Sequence, residues 1–459
     1  MKPFTSTALA LVLGALSAKV QADPASQDFY PLAPASRNAQ AEAQGLIEGQ
    51  SLGGTTRNWY SHEKAARDTR WSRYKGDGSR HDTRRRDNWL QGTILNYSTG
   101  FSQGTVGFAA EVAAYNAIAL QRSRSSVAGP NNRTLTHGDG DVVSQWSKLG
   151  LANLQARIAN TTLTVGRQAM DTPMIASIGN RALPSSFQGV SLHSAEFDNL
   201  SFDLASFDRV SPRTEQSLSR FRSEYGAAGE ETDRASTLGI NYQPFRSLTT
   251  SLYATKAEDF WDQYYFGATH ELGERAALGL TTTLNYYKTR DEGRAKLGAI
   301  DNNTYSLSLG LQHRAHSLTV AYQEVDGNEY FDYLHETNGI FLANSLFSDY
   351  NGPNEKSLQI AYVLDLAPYG VPGLKFNLYN ARGWGIDGTH YRGTGYDLGA
   401  MDGETHYEWS AGTTYVVQDG ALKNSSIRAT YTAHRASKGQ ADGNLDELRI
   451  VTTIPFSIL

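Results

Sequence analysis

Cysteine is absent from all 459 residues, which excludes a disulfide scaffold and any cysteine-based metal site. After the N-terminus there is no run of about 20 apolar residues, so a protein that crosses a membrane on helices is excluded too. Hydrophobic content is 39% and the mean hydropathy is −0.47. An excess of basic charge is also missing, so nothing points to a nucleic-acid partner. G-x-S-x-G, H-E-x-x-H, Walker and Rossmann signatures do not occur. His62-Glu63 and His335-Glu336 lack the second histidine of a zinc helix, and His137–Asp141 (HGDGD) lacks the terminal glutamate of a calcium loop. No enzyme, cofactor or metal is expected from these patterns.

What is present is tyrosine (25 residues), glycine (43 residues) and alternation. In the last segment Leu448, Ile450, Thr452, Ile454, Phe456 and Ile458 fall on one face of a strand, with Glu447, Arg449, Val451, Thr453 and Ser457 on the other. The same dyad recurs through Leu238–Ile240–Tyr242, Leu248–Thr250–Leu252, Tyr305–Leu307–Leu309–Leu311, Leu318–Val320–Tyr322 and Leu358–Ile360–Tyr362–Leu364. Short and long connections take turns between these segments. Apolar residues on one face and Ser, Thr, Gly, Asn and Gln on the other suit a sheet with lipid outside and water inside. A barrel tolerates low hydropathy because only every second strand residue meets lipid.

The reading is an all-β, transmembrane antiparallel β-barrel of eighteen strands. Short turns lie on the periplasmic side, and long loops lie on the extracellular side, some folded into the lumen. Residues 1–22 read as a secretory signal: Lys2 carries charge, 8–16 is a short apolar core, and Val20-Gln21-Ala22 is an A-x-A-like cleavage site. Residues 23–459 then form one β-barrel domain, with 40 basic against 47 acidic residues once Lys2 and Lys19 are removed. Eighteen strands leave an aqueous passage where eight would be filled by side chains.

Charges of inward parity are the candidate pore residues. Arg157, Lys375, Arg428 and Arg449 are basic, Asp203 and Glu447 acidic, and Ser306, Tyr379 and Thr430 polar. A charge on the lipid face costs about 2–4 kcal/mol at mid-bilayer, so inward placement is also the structural default. Such groups either solvate the wall or lower the barrier for a solute of opposite charge, as charged rings do in pores. Residues 169–187, stiffened by Pro173 and Pro184, form a candidate constriction that brings Arg181 into the lumen. Residues 326–356 form a second inward-folding candidate. Residues 61–87, with Arg84-Arg85-Arg86 among interspersed aspartates, read as a charged solvated loop, with lipopolysaccharide phosphates as its alternative partner.

Arg57-Asn58-Trp59-Tyr60, 98–108 (STGFSQGTVGF), 163–168 (LTVGRQ), 181–189 (RALPSSFQG), 299–302 (AIDN), 371–374 (VPGL), 415–424 (YVVQDGALKN), 445–449 (LDELR) and Ser457-Ile458-Leu459 occur in this order. Together they resemble the OprD-type substrate-specific porins of Gram-negative bacteria, over a stretch from about Leu46 to the C-terminus. The resemblance implies an outer-membrane barrel, monomeric, inserted by the barrel assembly machinery among lipid and lipopolysaccharide. It implies inward-folded loops forming an eyelet, a basic ladder down one wall, and passive uptake of small carboxylate-bearing solutes. Arg181 matches the family's loop arginine, and Arg428 matches the strand after the penultimate turn. Tyr379 and Thr430 stand where relatives often carry arginine, which thins the ladder and favours aromatic or weakly charged solutes. A sugar-selective porin and an outer-membrane barrel hydrolase are the alternatives.

Overall fold

Inward and outward residues alternate along strands that close on themselves, and this closure removes every sheet edge. The computed structural model describes residues 38–67, 69–74, 80–121, 133–137, 141–227, 229–274, 277–440 and 442–459. The expected signal segment 1–22, part of the 61–87 segment and the middle of His137–Asp141 lie outside these residues.

The barrel strands are β1 (Ser51–Ala65), β2 (Arg85–Ser98), β3 (Val106–Gln121), β4 (Gln145–Ile158), β5 (Thr161–Gln168), β6 (Ser186–Phe197), β7 (Leu200–Ser211), β8 (Ala235–Phe245) and β9 (Leu248–Ala257). They continue with β10 (Trp261–Glu274), β11 (Leu278–Asp291), β12 (Asp301–His313), β13 (His316–Asp326), β14 (Lys356–Asp365), β15 (Leu374–Asp387), β16 (Asp402–Val416), β17 (Ser426–Ala436) and β18 (Leu445–Ser457). These eighteen strands form one sheet in which each strand pairs antiparallel with the next in sequence. β1 runs from Gly53↔Ser457 to Ala65↔Leu445 on β18, and from Ser51↔Ser98 to Lys64↔Arg85 on β2, so it closes the ring. Tight turns serve one end; Asn199, with a φ of 66°, occupies the left-handed region that asparagine tolerates. Long connections serve the other end.

The outer wall carries Leu204, Leu238, Leu252, Leu307, Leu309, Ile360, Leu378 and Ile427, all exposed. Buried on the inner face are Thr237, Ser251, Gln263, Asn285, Gln323, Gln359 and Ser410. That is the inversion read from the sequence, and it identifies the lipid face.

Two expectations need correction. The charged stretch 61–87 is not one loop: β1 runs on to Ala65 and β2 starts at Arg85. Ser61, Glu63 and Ala65 continue the inward parity of Trp59, and Arg86 meets Glu63 across the pair, so charge does not break the strand. The interior is also not uniformly polar. Phe187, Phe207, Phe221, Trp261, Tyr287, Phe331 and Leu342 form one buried cluster inside the barrel. Inward parity is polar only where the lumen holds water, and here connecting segments fill it.

Candidate functional site

Among the described residues, three of the connections that enter the barrel bind one another. Residues 169–185 follow β5, 212–234 follow β7, and 327–355 follow β13. Isolated bridges join Ser177 to Thr337 and Ser223 to Leu334. The Asn338 amide donates to the Ala176 carbonyl at 2.9 Å, and the His335 amide to the Arg222 carbonyl at 2.8 Å.

The wall holds these segments through side chains of inward parity. Arg57 on β1 donates from one terminal nitrogen to the carbonyls of Gly179 (2.7 Å) and Arg181 (2.9 Å), and Trp59 Nε1 donates to the Asn180 carbonyl (3.1 Å). Gly92 on β2 is required here, because a Cβ at that position would stand 2.4 Å from the Ala182 carbonyl oxygen. On the far wall, Tyr287 donates to the Pro173 carbonyl (3.0 Å) and Gln263 to the Asp332 carbonyl (3.2 Å). The amides of Phe347 and Ser348 each donate to the Glu408 carboxylate at 3.1 Å.

The electrostatics divide the constriction into two flanks. Beside β1, β2 and β18, Glu63 accepts from Arg86 (2.9 Å) and Arg133 (2.6 Å), and Glu447 accepts from Arg133 (2.5 Å) and Arg449 (2.8 Å). Deeper in the loops, Arg213 clasps Glu336 at 2.8 and 3.1 Å and reaches Asn180 Oδ1 at 2.5 Å. Arg181 lies among these groups. Burial pushes its guanidinium well below its ordinary range, Arg213, Arg133 and Arg86 push the same way, and Glu336 opposes them. Among the described residues this flank gathers Arg57, Arg86, Arg133, Arg181, Arg213 and Arg449 against Glu63, Glu336 and Glu447.

The other flank is acidic and phenolic. Asp349 accepts from Tyr225 (2.6 Å), Tyr333 (2.8 Å) and Ser345 (2.6 Å). Asp332 accepts from Tyr396 (3.0 Å) and the Tyr333 amide (2.7 Å), and also from Ser223. Tyr225 and Tyr330 stack with ring centroids 4.5 Å apart.

The residues singled out from the sequence scatter along the lumen. Arg181, Arg449 and Glu447 belong to the arginine-rich flank. Arg157 lies at the turn end, over the Phe101 ring (3.8 Å) and donating to Gln40 Oε1 (3.0 Å). Lys375 is exposed near the same end, 3.3 Å from Asp365. Arg428 and Thr430 are half-buried on β17. Asp203 accepts from Tyr253 (2.6 Å), Asn241 (3.1 Å) and His193 (2.7 Å). Tyr379 donates to Glu408 Oε1 at 3.0 Å. Ser306 faces inward but lies beneath the 327–355 segment, where it accepts from the Ala343 amide (2.9 Å) and so supports the loop. Arg57, Glu63, Arg86, Arg133, Arg213 and Glu336 were not singled out. The parity of β1 points Arg57 and Glu63 inward, but the charged stretch that follows obscures where the strand ends.

The chain matches the model of the outer membrane porin, OprD family, over residues 44–458. It belongs to the OprD family. Porin D of Pseudomonas aeruginosa is 36% identical over 96% of this chain and 99% of its own length, and the porin-like protein GalP of Pseudomonas putida is 27% identical over 94% and 99%. Among solved structures, OccD3 (OpdP) of Pseudomonas aeruginosa superposes with a TM-score of 0.82 at 44% identity, covering 97% of this chain and 98% of its own. OprD of the same organism superposes with a TM-score of 0.75 at 33% identity, covering 92% and 98%. The protein is thus a porin of the Gram-negative outer membrane, and the relatives it resembles are channels.

The burial of Asp332 gives a reason to expect the constriction to respond to pH. Burial raises the Asp332 carboxyl to about 7, against the hydrogen bonds from Ser223, Tyr333 and Tyr396 that favour its charged form; Glu224 nearby adds to the rise. A raised carboxyl keeps its proton longer in the docked loop than in a released one, where it titrates near 3.9. Docking is therefore weakened progressively as pH rises from about 4 to about 7 and recovers on acidification. Asp332→Asn is expected to flatten the dependence of open-channel noise on pH between 5 and 8. The same slope in the variant would assign the response to another group.

Proposed function

We propose that the porin is a passive, substrate-selective channel for small solutes bearing a carboxylate, amino acids and short peptides among them. It works as a monomer after insertion by the barrel assembly machinery. The observation that carries this reading is the excess of six arginines over three glutamates on one flank of the constriction. In a narrow, partly dehydrated passage such an excess lowers the barrier for an anionic group, and the protein walls screen it less than bulk water would. The cluster of Asp349, Asp332 and the hydroxyls of Tyr225, Tyr333 and Tyr396 adds hydrogen-bond acceptors, which supports a preference for solutes that also carry a donor such as an ammonium group. A neutral sugar gains nothing from the arginine excess.

The test is single-channel recording in planar bilayers under a salt gradient. Arg181→Ala combined with Arg428→Ala is expected to move the reversal potential toward cation selectivity and to weaken block by small carboxylates. Block by maltose-like sugars, with indifference to carboxylates, would overturn the reading.

A further inference from the structure

His406 on β16 and His434 on β17 are 1% and 0% exposed and meet inside the barrel wall. His406 Nδ1 lies 2.9 Å from His434 Nε2. The outer nitrogens are both engaged. His434 Nδ1 is 2.7 Å from the Gly443 carbonyl, which can only accept, so that nitrogen carries the hydrogen. His406 Nε2 is 2.5 Å from Glu355 Oε1, and a carboxylate likewise accepts. In neutral imidazoles these tautomers leave His406 Nδ1 and His434 Nε2 with lone pairs facing each other. Two lone pairs 2.9 Å apart need a cation between them, either a shared proton or a metal ion.

A third donor favours the metal. A carboxylate oxygen of Asp442, in the connection between β17 and β18, and one ring nitrogen of each histidine all lie within 4.8 Å of one another. The carboxylate would also stabilise a shared proton, but with it the cluster holds the three donors that a metal ion needs. We propose that His406 Nδ1, His434 Nε2 and the Asp442 carboxylate form a site for a divalent d-block cation, Zn²⁺ foremost. Two imidazoles and one carboxylate are a donor set that suits this ion. The carbonyl of Gly443 and the carboxylate of Glu355 fix the two ring tautomers, as outer partners of metal-bound histidines do. Zn–N bonds of about 2.0–2.1 Å in a tetrahedral site separate the nitrogens by about 3.3 Å, so the rings must part by a few tenths of an ångström and turn until both lone pairs converge on the ion. Scanning the sequence for histidines one helical turn apart misses this set, because its members come from two strands and a connection.

The site adjoins an anchor of the constriction. Ser348 Oγ donates to Asp442 Oδ2 at 2.5 Å, and Gln440 donates to the same oxygen at 2.9 Å. The neighbouring amides of Phe347 and Ser348 hold the inward 327–355 segment to Glu408. A cation on Asp442 therefore ties residues 442–444 to the wall beside that segment and steadies the extracellular mouth.

The full-length protein, stripped with chelator and dialysed, is titrated with ZnCl₂ in detergent, and bound metal is measured after desalting. One Zn²⁺ per chain is expected, with no displacement by millimolar Mg²⁺. Asp442→Asn and His434→Gln are each expected to weaken binding by at least about tenfold. Heat-modifiable gel migration reports whether each barrel is folded; should His434→Gln not fold, Asp442→Asn decides the matter. No Zn²⁺ uptake by the wild-type chain would mean a shared proton and would overturn the proposal. Zn²⁺ uptake unchanged in Asp442→Asn would place the ion elsewhere and overturn it equally. Extracellular micromolar Zn²⁺ is also expected to quiet open-channel noise in the wild type and to leave Asp442→Asn unaffected.

Discussion

Glu336→Ala should loosen the constriction and raise single-channel conductance while leaving the barrel folded. Glu336 is 3% exposed and receives three bonds from Arg213: the backbone amide at 2.9 Å and the guanidinium at 2.8 and 3.1 Å. Arg213 belongs to the 212–234 segment and donates to Asn180 of the 169–185 segment, so one carboxylate clamps three loops. Removing one partner of a buried pair costs about 3–5 kcal/mol, because the other charge is left buried. Arg181 and His335 would lose the same counter-charge. The Phe187–Phe207–Phe221 contacts and the Tyr287–Phe331 contact persist, and each such buried side chain is worth about 1.5–3 kcal/mol. Loosening rather than expulsion of the loops is therefore the expected result.

The pH dependence of this clamp has a definite sign. Burial alone would raise the Glu336 carboxyl, but Arg213 and then His335 hold it far below the usual carboxylate range. Its contribution is complete above the unfolded value of about 4.3 and fades only as pH falls through the depressed one. Wild-type conductance should show no loss of this clamp from pH 8 down to about 5. Conductance and noise in Glu336→Ala equal to wild type would remove the clamp from the account.

Glu63→Gln should make the channel more anion-selective. Glu63 is fully buried on β1 and neutralises part of Arg86 and Arg133, while Glu447 serves Arg133 and Arg449. Glutamine keeps the volume and one acceptor but removes the charge, leaving three arginines around one glutamate. The reversal potential is expected to move opposite to that of the Arg181→Ala, Arg428→Ala pair. Loss of the ion pair should also lower resistance to thermal unfolding, with a local cost of about 3–5 kcal/mol. A shift toward cations would mean that the arginine flank does not face the permeating solute.

Much of the wall is legible in the sequence. Leu238, Leu252, Leu309 and Ile360 face lipid because strand side chains alternate strictly, and the last strand closes onto the first as its parity requires. The same periodicity misjudged Ser61–Ala65, where charge resembles a loop although Glu63 is satisfied by Arg86 and Arg133 from distant parts of the chain. It also gave no reason for Phe187 and Trp261 to face inward. Their reason is the trio of loops packed against them.

The sequence by itself determined the sheet: period-two patterning is local, so strand number, face and closure follow from neighbours along the chain. Folding of residues 169–187 and 326–356 into the lumen was also expected, the first from its length and prolines. Only the tertiary structure decided what the constriction is made of. Arg57 meets Gly179 and Arg213 meets Glu336, across separations of 122 and 123 residues. No repeat along the chain encodes such meetings, because they depend on where three irregular segments come to rest inside a closed wall.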